Sequence, residues 1–181
     1  TLIWYNIASG GTGTSTAPTP STATVGTLTY WVAAKSENSC EGARDSITVV
    51  VNRTPSKVTV VTPITYCQNA SAGALTATKP LSTDSLLWYT SASGGIGRTT
   101  APTPSTSTVG TTTYWVDAKT ALNCEGQRDS INVIVNRTPT KPTVTTPVTY
   151  CQYASAVSLT ATKALSTDSL LWYTSASGGI G

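Results

Sequence analysis

"LLWYTSASGG" occupies residues 86–95, the same ten letters return at 170–179, and a close variant, "LIWYNIASGG", stands at 2–11. The first half is apolar and aromatic without helical spacing; the second is a Ser/Gly turn. That reads as a buried strand closed by a tight turn, where glycine supplies the positive φ that other residues resist. With Trp88 facing inward, period-two alternation puts Leu86 beside it and Leu87 and Tyr89 on the opposite face. The composition agrees. Only 10% of residues are charged and His, Met and Phe are absent. Thr, Val, Ile, Tyr and Trp, which suit a pleated surface, carry the patterned stretches. The predicted class is all-β.

Trp4, Trp88 and Trp172 recur every 84 residues, as do Trp31 and Trp115, Cys40 and Cys124, and Cys67 and Cys151. At that offset residues 1–97 align with 85–181 without a gap, and about three quarters of the positions are identical. The period exceeds the roughly 20–50 residues of solenoid units, which cannot bury their own faces alone. It suits a complete small β-sandwich, a little under the ~100 residues of an immunoglobulin domain. The Pro-bearing stretches "NRTPSK" (52–57) and "NRTPTKP" (136–142) read as short, semi-rigid spacers. The expected organisation is tandem immunoglobulin-like β-sandwiches. Residues 1–56 are the back part of one repeat, 57–140 a complete repeat, and 141–181 the front part of another, all belonging to a longer array.

Within the complete repeat, "VTVV" (58–61) and "PITYC" (63–67) read as one strand interrupted at Pro63. "ALTAT" (74–78) follows, with Leu75 and Ala77 on one face, and "SLLWYT" (85–90) is next. "TTTYWVDAK" (111–119) points Tyr114, Val116 and Ala118 inward, leaving Trp115 outward beside Asp117 and Lys119. "DSINVIVN" (129–136) points Ile131, Val133 and Val135 inward. Regular short strands between turn signals argue for a sandwich.

Catalytic and cofactor signals are missing. Without His, no Ser-His-Asp or Cys-His arrangement can be assembled and no His-containing zinc site exists. The eight acidic residues are scattered, without EF-hand spacing. Glu125 and Asp117 could supply a glycosidase pair in principle, but read better as solvated loop and strand charges. "SGGIG" lacks the following helix that a phosphate loop needs. A formal charge of +3, dispersed along the chain, gives no nucleic-acid footprint. No apolar run is long enough to span a membrane. The expectation is a non-enzyme with no cofactor and no metal.

Each repeat carries two cysteines, which in an extracellular-looking β chain suggests disulfides. The favoured pairing is Cys67 with Cys124 inside the complete repeat, a loop closure worth about 4 kcal/mol in the chain-entropy model. Cys40 and Cys151 would then pair beyond this stretch. The rival scheme, Cys40–Cys67 and Cys124–Cys151, staples neighbours across the spacers. Metal binding is a weak third option, since no His and no CxxC accompanies the thiols.

Two further features stand out. The triplet Asp-Ser-Ile/Leu occurs at 45–47, 84–86, 129–131 and 168–170. Its Ser falls on the face away from the core at the start of a strand, where a sugar could be attached without disturbing packing. The competing reading is an Asp and Ser that shape the turn. The sequons at 52–54, 136–138 and 69–71 are weak in so Ser/Thr-rich a chain. The second feature is the outward set Leu87, Tyr89, Trp115 and Ile134, a candidate contact surface or carbohydrate-stacking platform unless flanking loops cover it.

Taken together, "TYCQ", "LWYTSASGG", "TTTYWV" and "NCEGQRDSI" resemble the immunoglobulin-like repeats of giant secreted surface adhesins of the Bacteroidetes, of the Cytophaga and Flavobacterium type. The resemblance covers the whole chain. It implies an extracellular, cell-surface location reached by type IX secretion, and O-glycosylation at Asp-Ser followed by an apolar residue, which maps onto Ser46, Ser85, Ser130 and Ser169. The partners it implies are neighbouring repeats of the same chain, other copies in a filament, covalent O-glycans and surface polysaccharides. The leading expectation is a structural stalk or filament segment of an adhesin. The alternatives are a carbohydrate- or surface-binding module, and an accessory region of a secreted polysaccharide-degrading enzyme.

Overall fold

The structure, a computed structural model, describes residues 1–177 and forms no helix among them. The first repeat supplies β1 (Leu2–Tyr5), β2 (Gly26–Ala34) and β3 (Asp45–Val51). The complete repeat supplies β4 (Thr59–Val60), β5 (Ile64–Cys67), β6 (Ala77–Thr78), β7 (Ser85–Tyr89), β8 (Gly110–Lys119) and β9 (Asp129–Asn136). The third supplies β10 (Thr143–Val144) and β11 (Ala161–Thr162).

The complete repeat is a sandwich. One layer is a four-stranded sheet in the order β5-β9-β8-β7, and the other is the β4–β6 pair. β7 runs antiparallel to β8 and β8 to β9, while β5 joins β9 in parallel, from Ile64↔Val133 to Cys67↔Asn136. The strand expected over 58–67 is therefore split between layers at Pro63. Proline has no N–H to give to a ladder, so pairing stops there and the chain changes sheet.

Between the layers lie Val58, Leu75, Trp88, Val116, Ala118, Ile131 and Val133, with Leu86, Tyr114, Ala77, Ile64 and Tyr66 packed against them. The alternation read from the sequence placed the inward residues of these strands correctly. Each large apolar side chain buried here contributes about 1.5–3 kcal/mol. The second strand is shorter than expected, only Ala77–Thr78. Leu75 still enters the core, and its N–H is satisfied by the carbonyl of Pro102 at 2.9 Å in the long loop before β8.

The flanking repeats show what the missing layers do. The β1–β2–β3 sheet repeats the β7–β8–β9 pairing at the 84-residue offset, Tyr5↔Trp31 matching Tyr89↔Trp115. Among the described residues no counterpart of the β4–β6 pair covers it, and Ile47 is 47% exposed where Ile131 is 0% exposed. In the third repeat β10–β11 reproduces β4–β6, but Ser169–Tyr173 forms no strand and Trp172 is 52% exposed against 4% for Trp88. The third copy of the glycine turn runs into residues 178–181, outside the described residues.

Candidate functional site

Leu87 and Tyr89 take the outer face of the sheet, as alternation demands, yet neither is open. They are 7% and 5% exposed. The turn after β7 folds back over them, and a Cβ at Gly97 would stand 2.7 Å from the Tyr89 ring. The Arg128 guanidinium roofs that ring at 3.3 Å from its centroid, a cation–π contact. Its Nη1 donates to the carbonyl of Ser91 at 2.9 Å, and its Nε lies 3.7 Å from Asp117 Oδ2. The Tyr89 hydroxyl donates to Glu125 Oε2 at 3.2 Å. Burial, then the charge of Asp117, pushes that hydroxyl up to about 12. Asp117 is 1% exposed, and its Oδ1 has no partner. Burial first, and then the charge of Glu125, hold its carboxyl above the usual carboxylate range.

The first repeat rebuilds this cluster with one substitution. Arg44 lies 3.2 Å over the Tyr5 ring and donates to the carbonyls of Ile7 and Gly10. Tyr5 donates to Glu41 at 2.5 Å, a bond that holds the phenol up and the carboxyl down. Where Asp117 stands, the first repeat has Ala33, 2% exposed. The recurring unit is thus Tyr–Arg–Glu, a clasp fastening the glycine turn to the loop before the last strand. Of the two readings of Leu87 and Tyr89, a contact surface or a face covered by flanking loops, the structure shows the cover: their own turn and Arg128 lie over them. Trp115 and Ile134 remain half-buried on that face.

The second constellation lies between repeats. After β3 the chain passes through Asn52–Lys57, and Arg53 Nη2 meets Oδ1 of Asp84, in the following repeat, at 2.5 Å. The Asp84 side chain is 1% exposed. Arg137 and Asp168 form the same bridge at the next spacer. Pro55 is buried, and its carbonyl lies 2.9 Å from where a Cβ on Gly126 would sit. Lys57 Nζ then reaches Asp129 Oδ1 at 3.0 Å. Burial raises the Asp129 carboxyl, but Lys57 and the Ser130 N–H outweigh it and leave the group below its usual range. The acidic residues of the Asp-Ser triplets at 84, 129 and 168 are therefore spacer anchors. The sequence reading missed this because the partners, Arg53, Lys57 and Arg137, sit in stretches that look like mere connectors.

The chain matches the family described as "Ig-like domain CHU_C associated" over residues 1–52 and 55–136. It belongs to that family. Among solved structures it is similar to the fibronectin(III)-like modules of Clostridium thermocellum CbhA, at 18% identity over 75% of this chain and 77% of that one, with a TM-score of 0.41. Comparison with curated proteins finds no match.

The other expected site residues of this Ig-like chain can be placed as well. Ser46, Ser85 and Ser169 are exposed, whereas Ser130 is half-buried in the central part of the sheet. Cys40, Cys67, Cys124 and Cys151 carry free thiols. The expected Cys67–Cys124 pair is not formed, and the topology explains why. Cys67 stands beside Asn136, at the end of β9, whereas Cys124 lies in the turn that precedes Asp129, at its start. Eight strand residues separate the two by roughly 25 Å, far beyond the ~7 Å between Cα atoms that a disulfide can bridge. No group of His, Cys, Asp and Glu among the described residues could hold a metal ion, and no helix among them is long and apolar enough to cross a membrane.

Proposed function

We propose that this chain is a spacer segment of a secreted, cell-surface adhesin, a stalk whose repeats set reach and stiffness instead of carrying individual binding sites. The observation that supports this best is the junction: the same arginine–aspartate bridge is made at both spacers, 84 residues apart. A module selected for a ligand needs a site on its surface. Here the charged and aromatic residues are spent on fastening turns and on joining one repeat to the next. Ig-like modules of this kind are generally non-catalytic, and the buried Asp117 faces Arg128 instead of a cleft.

The decisive experiment is done on cells. Replacing these residues by an unrelated rigid spacer of equal length should preserve adhesion, while deleting them without replacement should weaken it. Loss of adhesion with the equal-length replacement would point to a binding module instead. Attachment of O-glycans belongs to the same reading, and the exposure differences order the candidates. Intact-mass and peptide analysis of the exported chain should find sugar on Ser85 before Ser130; a bare mass would remove the glycan proposal.

A further inference from the structure

We infer that the cysteines join consecutive repeats, the thiol of the Cys67 position in one repeat pairing with that of the Cys124 position in the next. The inference starts from where each thiol is held. Cys67 ends β5 at the outgoing end of its repeat. The N–H of Gln68 donates to Asn136 O at 2.7 Å, and Thr138 Oγ1, in the outgoing spacer, donates to Gln68 O at 2.9 Å. Cys124 is held at the incoming end. Its turn is closed by Thr120 N–H to Cys124 O at 3.0 Å and Cys124 N–H to Thr120 Oγ1 at 3.1 Å. The same turn recurs around Cys40, closed on Ser36.

The junction then brings the two ends together. Asn52 and Arg53, which leave the first repeat, line one pocket with Thr120 and Leu122 of the following one. At the 84-residue offset Asn52 occupies the position of Asn136, the strand partner of Cys67. The Cys67 position of a repeat is therefore one strand away from the residue that lines a pocket with the next repeat's cysteine turn. Within these 181 residues no such pair is complete. In a longer array of such repeats, Cys67 would meet the third repeat's counterpart of Cys124, and Cys124 the first repeat's counterpart of Cys67. Forming the bond removes two protons and two electrons from the thiol pair, taken up by a disulfide oxidant that leaves as two thiols.

This inference rests on the tandem-spacer reading, but its test does not involve adhesion. After oxidation by glutathione disulfide, the 181-residue chain should still titrate four thiols. The same chain extended beyond Gly181 by a further copy of residues 98–140, which completes the third repeat, should lose two. Non-reducing peptide mapping should show Cys67 joined to the appended copy of Cys124, and Cys67→Ser should abolish that peptide while leaving the remaining thiols titratable. A Cys67–Cys124 or Cys124–Cys151 peptide, or no loss of thiols on extension, would overturn the inference while leaving the spacer reading intact.

Discussion

Asp117 is a buried carboxylate at a position where the first repeat manages with Ala33. Its Oδ1 has no partner, and its ion pair with Arg128 is long, at 3.7 Å. A buried pair of this quality recovers little of its desolvation cost. Asp117→Ala should therefore leave the stability of the complete repeat within about 1 kcal/mol of wild type in urea unfolding. Arg128→Ala should cost about 3 kcal/mol, because it strands the carboxylate and uncovers Tyr89. The pH dependence follows from the directions of the shifts. Asp117 is held high, so its contribution is fully present below the ordinary Asp value of about 4 and is lost as pH rises through its folded value. The balance between Asp117→Ala and wild type should move toward the variant as pH rises from acid to neutral. Asp129 is held low, so its contribution is present above about 4 and is lost as pH falls through its folded value. Lys57→Ala should flatten that acid-side loss.

At the scale of elements, Ser85–Tyr89 and Ser169–Tyr173 spell the same five residues, but only the first is a strand. The difference is partners. β7 has β8 along one edge, and Trp88 exchanges N–H and C=O hydrogen bonds with Arg98; among the described residues no segment pairs with Ser169–Tyr173. Acrylamide should quench Trp172 readily and Trp88 hardly at all, so Trp172→Phe should remove most of the quenchable emission. Equal quenching of the two would contradict the burial pattern. The junction offers a second paired test. An alanine at Gly126 would put its Cβ 2.9 Å from the Pro55 carbonyl, whereas at Gly42 the nearest atom is 3.6 Å away. Gly126→Ala should cost about 1–3 kcal/mol through overpacking, and Gly42→Ala should be close to neutral in the same unfolding assay.

For the whole molecule, the prediction concerns stiffness. In solution scattering, the chain should show a radius of gyration well above the roughly 16 Å of a compact domain of this length. Arg53→Ala with Arg137→Ala should broaden the distribution of interatomic distances without unfolding the complete repeat, because each change releases a junction and leaves the core in place. An unchanged distribution would mean that the bridges do not hold the junctions. Much of this architecture was legible in the sequence. The 84-residue period, the strands and the inward residues from Leu75 to Val135 all follow from alternation and composition, because side-chain period and apolar burial act locally along a strand. The cluster around Tyr89 was half legible: its face and the prospect of a covering loop could be read, but not that the glycine turn and Arg128 supply the cover, since that depends on how far a turn folds back. The spacer anchors were not legible, because an Arg in "NRTP" gives no sign of which carboxylate it will meet.

By itself, the sequence determined the class, the period and the face of each strand residue, since all three are written in neighbouring side chains. Only the tertiary structure decided which segments stand beside the strand of "LLWYTSASGG" at 86–95. Backbone hydrogen bonds in a sheet come from distant segments, and a decapeptide carries no information about whether β8 and β9 stand beside it. The ends at which the cysteines stand were decided in the same way. Parallel pairing of β5 with β9 sends Cys67 and Cys124 to opposite ends of the repeat, and no spacing along the chain could reveal that.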